Sequence, residues 1–495
     1  MDVTLDEIED TETLRRAAKL LEAENQRLSR EIAKLAKELH ELKGGDPKQL
    51  MLQLAGLEQQ LANLQKKVFG DSSEKRKKAA GAGKKSEPQR GHGHRAQPAL
   101  PIVEHVHVAD EADKVCNACG GELGEWAGQF EESEEIDVIE RRFVIKKHKR
   151  QKYRCRCGQC IETAPGPVKL FEGARYSSNF AIAVAVEKYV DHMPLERQVR
   201  TMAREGLEID SQTLWDQLNA LAHVLEPVHT RLHAYVLSQS VIGADETFWR
   251  LMGAKGKRNG GDGKRWQTWA VVVPNAVSYR ILDSRSADAA KEVLGDYAGT
   301  IVCDGYSAYE ALQKKGGRFR IAHCWAHVRR KFVEIEDQYP DRCREILGLI
   351  GELYAVENEA KTGPPDERRR LRQQRSKPIV QRIHDWALTT ETLPQSSLGK
   401  AIAYMGGIWD GLRVFIDDPD VELDNNGTER ALRGVVIGRK NHYGSRSRRG
   451  TEVAALFYSL TESAKLAGVG PHTYLKIATD AALRGVEIPL PHEVV

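Results

Sequence analysis

No apolar stretch of the chain approaches the eighteen or so residues needed to span a membrane. The acidic opening (Asp2, Glu7, Glu9, Asp10) is also unlike the basic start of a secretory signal. Both absences point to a cytoplasmic protein. A large excess of one charge is missing too. The formal net charge is +3 over 495 residues, so the overall balance names no partner and only the local distribution can. Cysteine is sparse, with eight in all; in a reducing compartment their close spacings favour metal binding over disulfides. From Ser72 to Leu100 large apolar side chains are almost absent. That excludes a packed core there and makes the region 71–105 a flexible basic linker. Its cluster Lys75-Arg76-Lys77-Lys78 either tracks phosphates without reading sequence or is merely solvated. The length exceeds what one ordinary core organises, so several domains are expected.

The N-terminal segment 1–70 has the clearest period. Leu14, Leu21, Leu28, Leu35 and Leu42 recur every seven residues, with Ala18, Asn25, Ile32 and Leu39 four positions further on. This is a coiled-coil seam with leucine at d, and Asn25 at an a position favours a parallel homodimer. Gly44-Gly45-Asp46-Pro47 stops the helix, and a second 4-3 run (Leu50, Leu54, Leu57, Leu61, Leu64, Val68) leaves an intramolecular hairpin as the alternative.

Between 106 and 165, Cys116-Asn117-Ala118-Cys119 is followed by Cys155-Arg156-Cys157-Gly158-Gln159-Cys160. Four thiolates close a tetrahedral structural zinc site, and the x2 spacing selects Cys116, Cys119, Cys157 and Cys160, with Cys155 as the substitute. The region 166–237 reads as all helical. Leu195 to Arg204, a turn through Gly206, and a helix capped by Asp210 or Ser211 resemble a helix-turn-helix, although such pairs arise in any helical domain.

Three further strings carry the chemistry. Val241-Ile242-Gly243-Ala244-Asp245 and Thr300-Ile301-Val302-Cys303-Asp304 are strand-length apolar runs that each deliver an aspartate at the strand tip. In Asp424-Asn425-Asn426-Gly427-Thr428-Glu429-Arg430, capping residue types precede a glutamate in the first turn of a helix. Two such aspartates and a helical glutamate suit a pair of magnesium ions about 3.5 to 4 Å apart. Taken alone, either aspartate is an ordinary strand-end residue. The setting decides: runs at Trp266 to Val273 and Val277 to Leu282, a helix-like run at Ala287 to Tyr297, then the Asp304 strand. That order is the core of a ribonuclease H-like fold, in parts 238–333 and 416–460, split by an all-helical insertion at 334–415 and followed by a helical element at 461–495. Cys324 and His327 have metal-ligand chemistry but no neighbouring ligands, so Cys324, Trp325 and His327 are expected to pack the insertion on the core. The basic residues after Glu429, among them Arg430, Arg433, Arg439, Lys440 and Arg446, suggest phosphate contacts, with a solvated face as the alternative.

Several of these strings resemble the insertion sequence 66 family of DDE transposases. They are Phe69-Gly70-Asp71-Ser72-Ser73-Glu74-Lys75, Gly243-Ala244-Asp245-Glu246-Thr247, Cys303-Asp304-Gly305-Tyr306, Cys324-Trp325-Ala326-His327-Val328-Arg329-Arg330, Asp424-Asn425-Asn426 through Arg433, and Gly438-Arg439-Lys440-Asn441. The resemblance covers nearly the whole chain. It implies a catalytic triad of Asp245, Asp304 and Glu429 holding two Mg2+ or Mn2+, and one structural Zn2+. It also implies 3′-end cleavage with strand transfer into target DNA, a bacterial nucleoid setting, and small accessory proteins as possible partners. The sequence departs from the family pattern in the Gly-rich loop Gly253 to Gly263 and in the extra thiol Cys155. A non-catalytic DNA-binding regulator and a ribonuclease H-type nuclease without strand transfer are the competing functions.

Overall fold

The computed structural model describes residues 119–120, 143–154, 161–255 and 262–494. The leucine seam, the basic linker and Cys116, Cys155, Cys157 and Cys160 lie outside these residues. All elements described here belong to the unit that contains residues 143–495.

A short antiparallel pair, β1 (Lys152–Arg154) and β2 (Ile161–Thr163), precedes three helices: α1 (Ser178–Tyr189), α2 (Leu195–Arg204) and α3 (Ser211–Leu237). The turn between α2 and α3 uses Gly206 at φ +84°, a left-handed conformation that a side chain would disfavour. Asp210 caps α3 by accepting the Thr213 N–H at 2.7 Å. Along α3, Leu214, Leu218, Leu221, Leu225, Val228 and Leu232 repeat at helical spacing and are buried.

The next strands are β3 (Val241–Lys255), β4 (Asp262–Val273) and β5 (Ala276–Leu282), followed by α4 (Ala287–Leu294), β6 (Thr300–Cys303), α5 (Ser307–Lys314) and β7 (Arg320–His323). They form a five-stranded sheet in the order β5-β4-β3-β6-β7; the first three make an antiparallel meander, and β6 and β7 run parallel to β3. Each parallel strand is reached through a helix, as a parallel connection requires.

Beyond β7 come α6 (Trp325–Val333), α7 (Pro340–Ala360), α8 (Pro365–Leu371), a π-helical turn (Arg372–Ser376), α9 (Lys377–Thr389), α10 (Ser397–Gly407), α11 (Trp409–Leu412) and α12 (Val414–Asp417). This helical block has its own core, from Trp325 and Phe332 through Ile346, Ile350 and Ile383 to Phe415 and Leu423, and it packs under Val302 and Ala322 of the sheet. The chain then returns through α13 (Asn426–His442), α14 (Arg448–Leu466) and α15 (Pro471–Leu483).

Three expectations are corrected. The segment 166–237 is not a separate domain: α1 and α3 share one continuous core with the sheet and α14, because the apolar stripe of α3 and the β4–β5 face bury each other. A boundary at 460 falls inside α14, whose residues Val453 to Leu460 and Ala464 are all buried in that core. Helix α6 belongs with the insertion's core rather than with the first core segment, since Trp325, Val328 and Phe332 face it.

In the middle of the insertion, Arg372 is fully buried. Its Nε and Nη2 donate to Glu357 at 2.9 and 2.8 Å, and its Nη1 donates to the carbonyls of Phe415 and Asp418 at 2.8 and 2.9 Å. A buried guanidinium needs such full pairing, and the planar fork supplies it.

Candidate active site

Strand alternation sorts the carboxylates. Asp245 pairs in register with Ala270, which pairs with Tyr279; Glu246 pairs with Trp269, which pairs with Arg280. Cross-strand partners share a face, so Asp245 and Glu246 leave the sheet on opposite sides. On the Glu246 side, Trp269 meets Tyr309 of α5 edge to face. On the Asp245 side, the Tyr279 hydroxyl donates to the Ala431 carbonyl of α13 at 2.7 Å.

Asp245 is not at a strand tip. It lies inside β3, which continues to Lys255 because Glu246 through Leu251 keep pairing with β4. It is the parallel neighbour that stops: β3 and β6 pair at Val241↔Thr300, Ile242↔Ile301 and Gly243↔Val302. Asp245 and Asp304 each stand two positions past the last of these pairs, side by side at the end of the parallel ladder.

Helix α13 brings Glu429 to the same face. Gly243 makes this possible, since a Cβ there would run into Thr428 Oγ1 and lie 3.1 Å from Asn425 Oδ1. The side chain of Asn425 does not cap the helix, as its residue type suggested. It donates instead to the Ala244 carbonyl of β3 at 3.1 Å, and the Asn426 N–H goes to Asp424 Oδ1 at 3.0 Å. Cys324 Sγ accepts the Asn425 N–H at 3.2 Å, the Trp325 N–H donates to the Leu423 carbonyl, and Trp325 Nε1 donates to the Leu412 carbonyl. Cys324 and Trp325 thus grip the returning segment. Burial pushes the Cys324 thiol up to about 11, so in the metal-free protein it is a protonated packing group.

His327 meets the core at Glu429. Its Nε2 lies 3.5 Å from Glu429 Oε1, and Arg330 Nη2 lies 3.8 Å from Glu429 Oε2. Among the described residues no three His, Cys, Asp or Glu side chains form a ready metal-holding group. Glu429 lies beside His327 and Arg330, within electrostatic reach of Asp245 but not closed upon it.

Burial pushes Asp245 up to about 7, and the negative charges of Glu246, Asp304 and Glu429 add to that rise. Among the described residues no ion pair relieves Asp245 or Asp304. Asp245 Oδ1 accepts only the Glu246 N–H and Asp304 Oδ1 only the Tyr306 N–H. Glu246 is compensated: its buried carboxylate takes Arg285 Nε at 2.8 Å and the Tyr309 hydroxyl at 3.3 Å, while the Arg285 guanidinium lies over the Tyr306 ring at 3.8 Å. The sequence reading missed this network; its signal was the adjacent Asp-Glu pair, which alternation must divide between two faces. Asp245 and Asp304 are hard oxygen donors of the kind that divalent cations take.

The sign of the Asp245 shift gives a test. Its folded pKa exceeds the unfolded value of 3.8, so metal-free protein loses the stability contributed by the protonated form as pH rises from about 4 through about 7. Asp245→Asn is therefore expected to raise the melting temperature by several degrees at pH 8 and hardly at all at pH 4, as read by thermal denaturation. An equal effect at both pH values would contradict the assignment.

The family model described as Transposase IS66 family matches residues 173–453, which contain all of these groups. The chain belongs to the IS66 transposase family. A second model, the zinc-finger binding domain of transposase IS66, matches residues 113–158. The chain is also similar to two proteins of Sinorhizobium fredii (strain NBRC 101917 / NGR234). It is 32% identical to Uncharacterized protein y4jD over 399 residues, which cover 76% of each chain. It is 28% identical to Uncharacterized protein y4hP over 398 residues, covering 75% of this chain and 71% of that one. The protein is thus a DDE-type transposase acting on DNA ends, with a mixed α/β core, an all-helical region and a separate N-terminal zinc-binding segment. No helix among the described residues is long and apolar enough to cross a membrane.

Among the expected DNA contacts of this IS66 transposase, Arg430, Arg433, Lys440 and Arg446 are exposed. Arg439 is not free for DNA: it is half-buried, donates to the Phe248 carbonyl and to Thr247 Oγ1 at 3.3 Å, and lies over the Phe248 ring. Lys75, Arg76, Lys77 and Lys78 fall outside the described residues.

Proposed function

We propose that Asp245, Asp304 and Glu429 are the catalytic triad and hold two divalent cations, magnesium or manganese. In this reading the protein cleaves the 3′ ends of its element and joins them to target DNA. The observation that carries it is the parallel register setting Asp245 beside Asp304 under the helix that bears Glu429. When bound, the cations activate the attacking oxygen and neutralise charge on the leaving oxygen. The protein's own groups prepare that site. Asp245 gives up the proton that burial favours, the backbone N–H groups of Glu246 and Tyr306 fix one oxygen of each aspartate, and His327 and Arg330 hold the Glu429 carboxylate at the edge of the cluster. Exposed Arg430 and Arg433, beside Glu429 on α13, hold backbone phosphates. Water attacks the phosphodiester first and the freed 3′-hydroxyl attacks target DNA second, with no bond to the protein.

The meander with two parallel strands supports a ribonuclease H-like core, interrupted by the helical insertion. The capped α2–α3 pair supports helix-turn-helix binding of element ends. The coiled coil, homodimerisation, accessory proteins and nucleoid association rest on sequence and family resemblance. So does a tetrahedral zinc site of Cys116, Cys119, Cys157 and Cys160, with Cys155 as the substitute.

Incubation of the protein with end-containing DNA, target plasmid and Mg2+ should yield covalently joined products. Nicks without joined products would reduce the activity to a nuclease. For the zinc site, one equivalent of zinc should be released by a strong chelator, unfolding about 106–165 while the thermal transition of the core stays in place. Purified protein lacking stoichiometric zinc would refute it.

A further inference from the structure

A cleft of about 600 Å³ opens between α2, the start of α3 and the segment after α13. The carboxylate site described above does not use it. Its wall includes Trp215 and Tyr443, and its cations are Lys188, Arg197, Arg200 and Arg446. A smaller cavity of about 390 Å³ adjoins it, sharing Arg197, Arg200 and Asn441.

Five features point to one kind of occupant. The volume lies in the range of about 300–1,000 Å³ typical of sites for a compact organic ligand, and it is too narrow for a duplex. Among the described residues the four cations have no carboxylate partner, whereas Arg342, Arg344, Arg368, Arg372, Arg375 and Arg382 of the insertion are all paired with acidic side chains. The one acidic residue in the lining, Glu196, is already engaged by the Ser211 hydroxyl at 2.7 Å. The Lys188 ammonium lies over the Tyr189 ring at 5.6 Å, and burial lowers its pKa to about 8. Tyr443, finally, is 64% exposed and sits at φ +61°, a conformation costly for a residue with a Cβ. That conformation is the left-handed cap of α13, in which the Tyr443 N–H donates to the Arg439 carbonyl at 2.8 Å, and the ring held out at the rim of the cleft can stack on a planar ligand.

The position of the cleft completes the case. Glu429 is in the first turn of α13 and Tyr443 is its C-terminal cap, about 20 Å apart at 1.5 Å per residue. The exposed Arg430, Arg433 and Lys440 lie on the helix between them. We infer that a DNA strand followed outward from the carboxylates reaches this cleft and places one unstacked nucleotide in it, its base against Trp215 and Tyr443 and its phosphates on Arg197, Arg200 and Arg446. At about 3.4 Å per nucleotide step, that nucleotide is roughly six steps from the scissile phosphate. Aromatic walls hold any base through its π face, and surrounding cations follow the backbone without reading sequence. The inference rests on DNA running beside Glu429, as proposed above.

The test uses the full chain carrying Asp304→Asn, so that binding is read without cleavage. Fluorescence anisotropy compares a labelled dT8 oligomer with an octamer of the same backbone in which every position is abasic. The dT8 oligomer should bind about tenfold more tightly. Trp215→Ala should abolish that preference while leaving affinity for the abasic octamer unchanged. Tyr443→Gly, a replacement suited to the positive φ, should do the same without threatening the fold. Arg200→Gln should weaken both oligomers. Equal binding of the two oligomers, or a preference that survives both aromatic replacements, overturns the nucleotide site. Neither result touches the triad, whose failure would appear as end cleavage by Asp304→Asn protein.

Discussion

Protein carrying Asp304→Asn or Glu429→Gln should bind element ends as the unaltered protein does and yet fail to nick them in Mg2+. The expected loss of rate is at least about 10²–10³-fold, the effect of removing a single preorganised charge-stabilising group. The basis is the shared face of β3, β6 and α13. Asp304 is in register with Asp245 past the last parallel pair, and Glu429 is carried to the same face by a helix in contact with Gly243. An amide keeps the shape of a carboxylate but removes its charge, so any loss reports on charge rather than packing. Glu246→Gln is the instructive control. It is adjacent to Asp245 in sequence but on the other face, paired with Arg285. Its replacement should destabilise the protein while the stability-corrected cleavage rate falls far less. End-containing DNA nicked at the normal rate by either triad variant would remove the basis for the catalytic assignment.

Gly243→Ala should also be severe, though Gly243 carries no functional group. The new Cβ collides with Thr428 Oγ1 and crowds Asn425, the two residues that seat the first turn of α13 on β3. Overpacking of this kind costs about 1–3 kcal/mol, which leaves most domains folded. The chemistry is less tolerant: Thr428 immediately precedes Glu429, and a displacement of about 1 Å at a reacting centre can cost about 10²-fold. The expected result is a folded protein whose cleavage rate falls about 10²-fold. Adding Thr428→Ala removes the colliding oxygen and should recover much of the loss. Gly243→Ala protein with normal melting and normal cleavage would show that the approach of α13 to β3 has slack.

What could be read in the sequence was local. The apolar runs ending at Asp245 and Asp304 were legible as strands, and α2, the Gly206 turn and the Asp210 cap were legible from residue types alone. The leucine spacing of α3 announced a buried face but not its partner, and the partner proved to be the sheet itself. Placing Asp245 at a strand tip failed because Glu246 to Leu251 are held in extended pairing by β4, a tertiary effect that the end of an apolar run conceals. The approach of His327 to Glu429 joins residues on two helices separated by the whole insertion, and no spacing rule reaches that far. The separation of Asp245 from Glu246 was within reach, since period-two alternation alone requires it.

The buried fork of Arg372 means that the insertion cannot be treated as cargo hung on the catalytic core. Its guanidinium ties Glu357, deep in the helical block, to the Phe415 and Asp418 carbonyls just upstream of the Asp424-to-Glu429 turn. Shortening the block, or grafting one from a relative, would therefore change where the last acidic side chain arrives. Chimaeras should tolerate exchange at the exposed ends of α8 and α9 far better than at the Glu357–Arg372 pair, which serves as the surveyor's peg from which the final approach to Glu429 is measured.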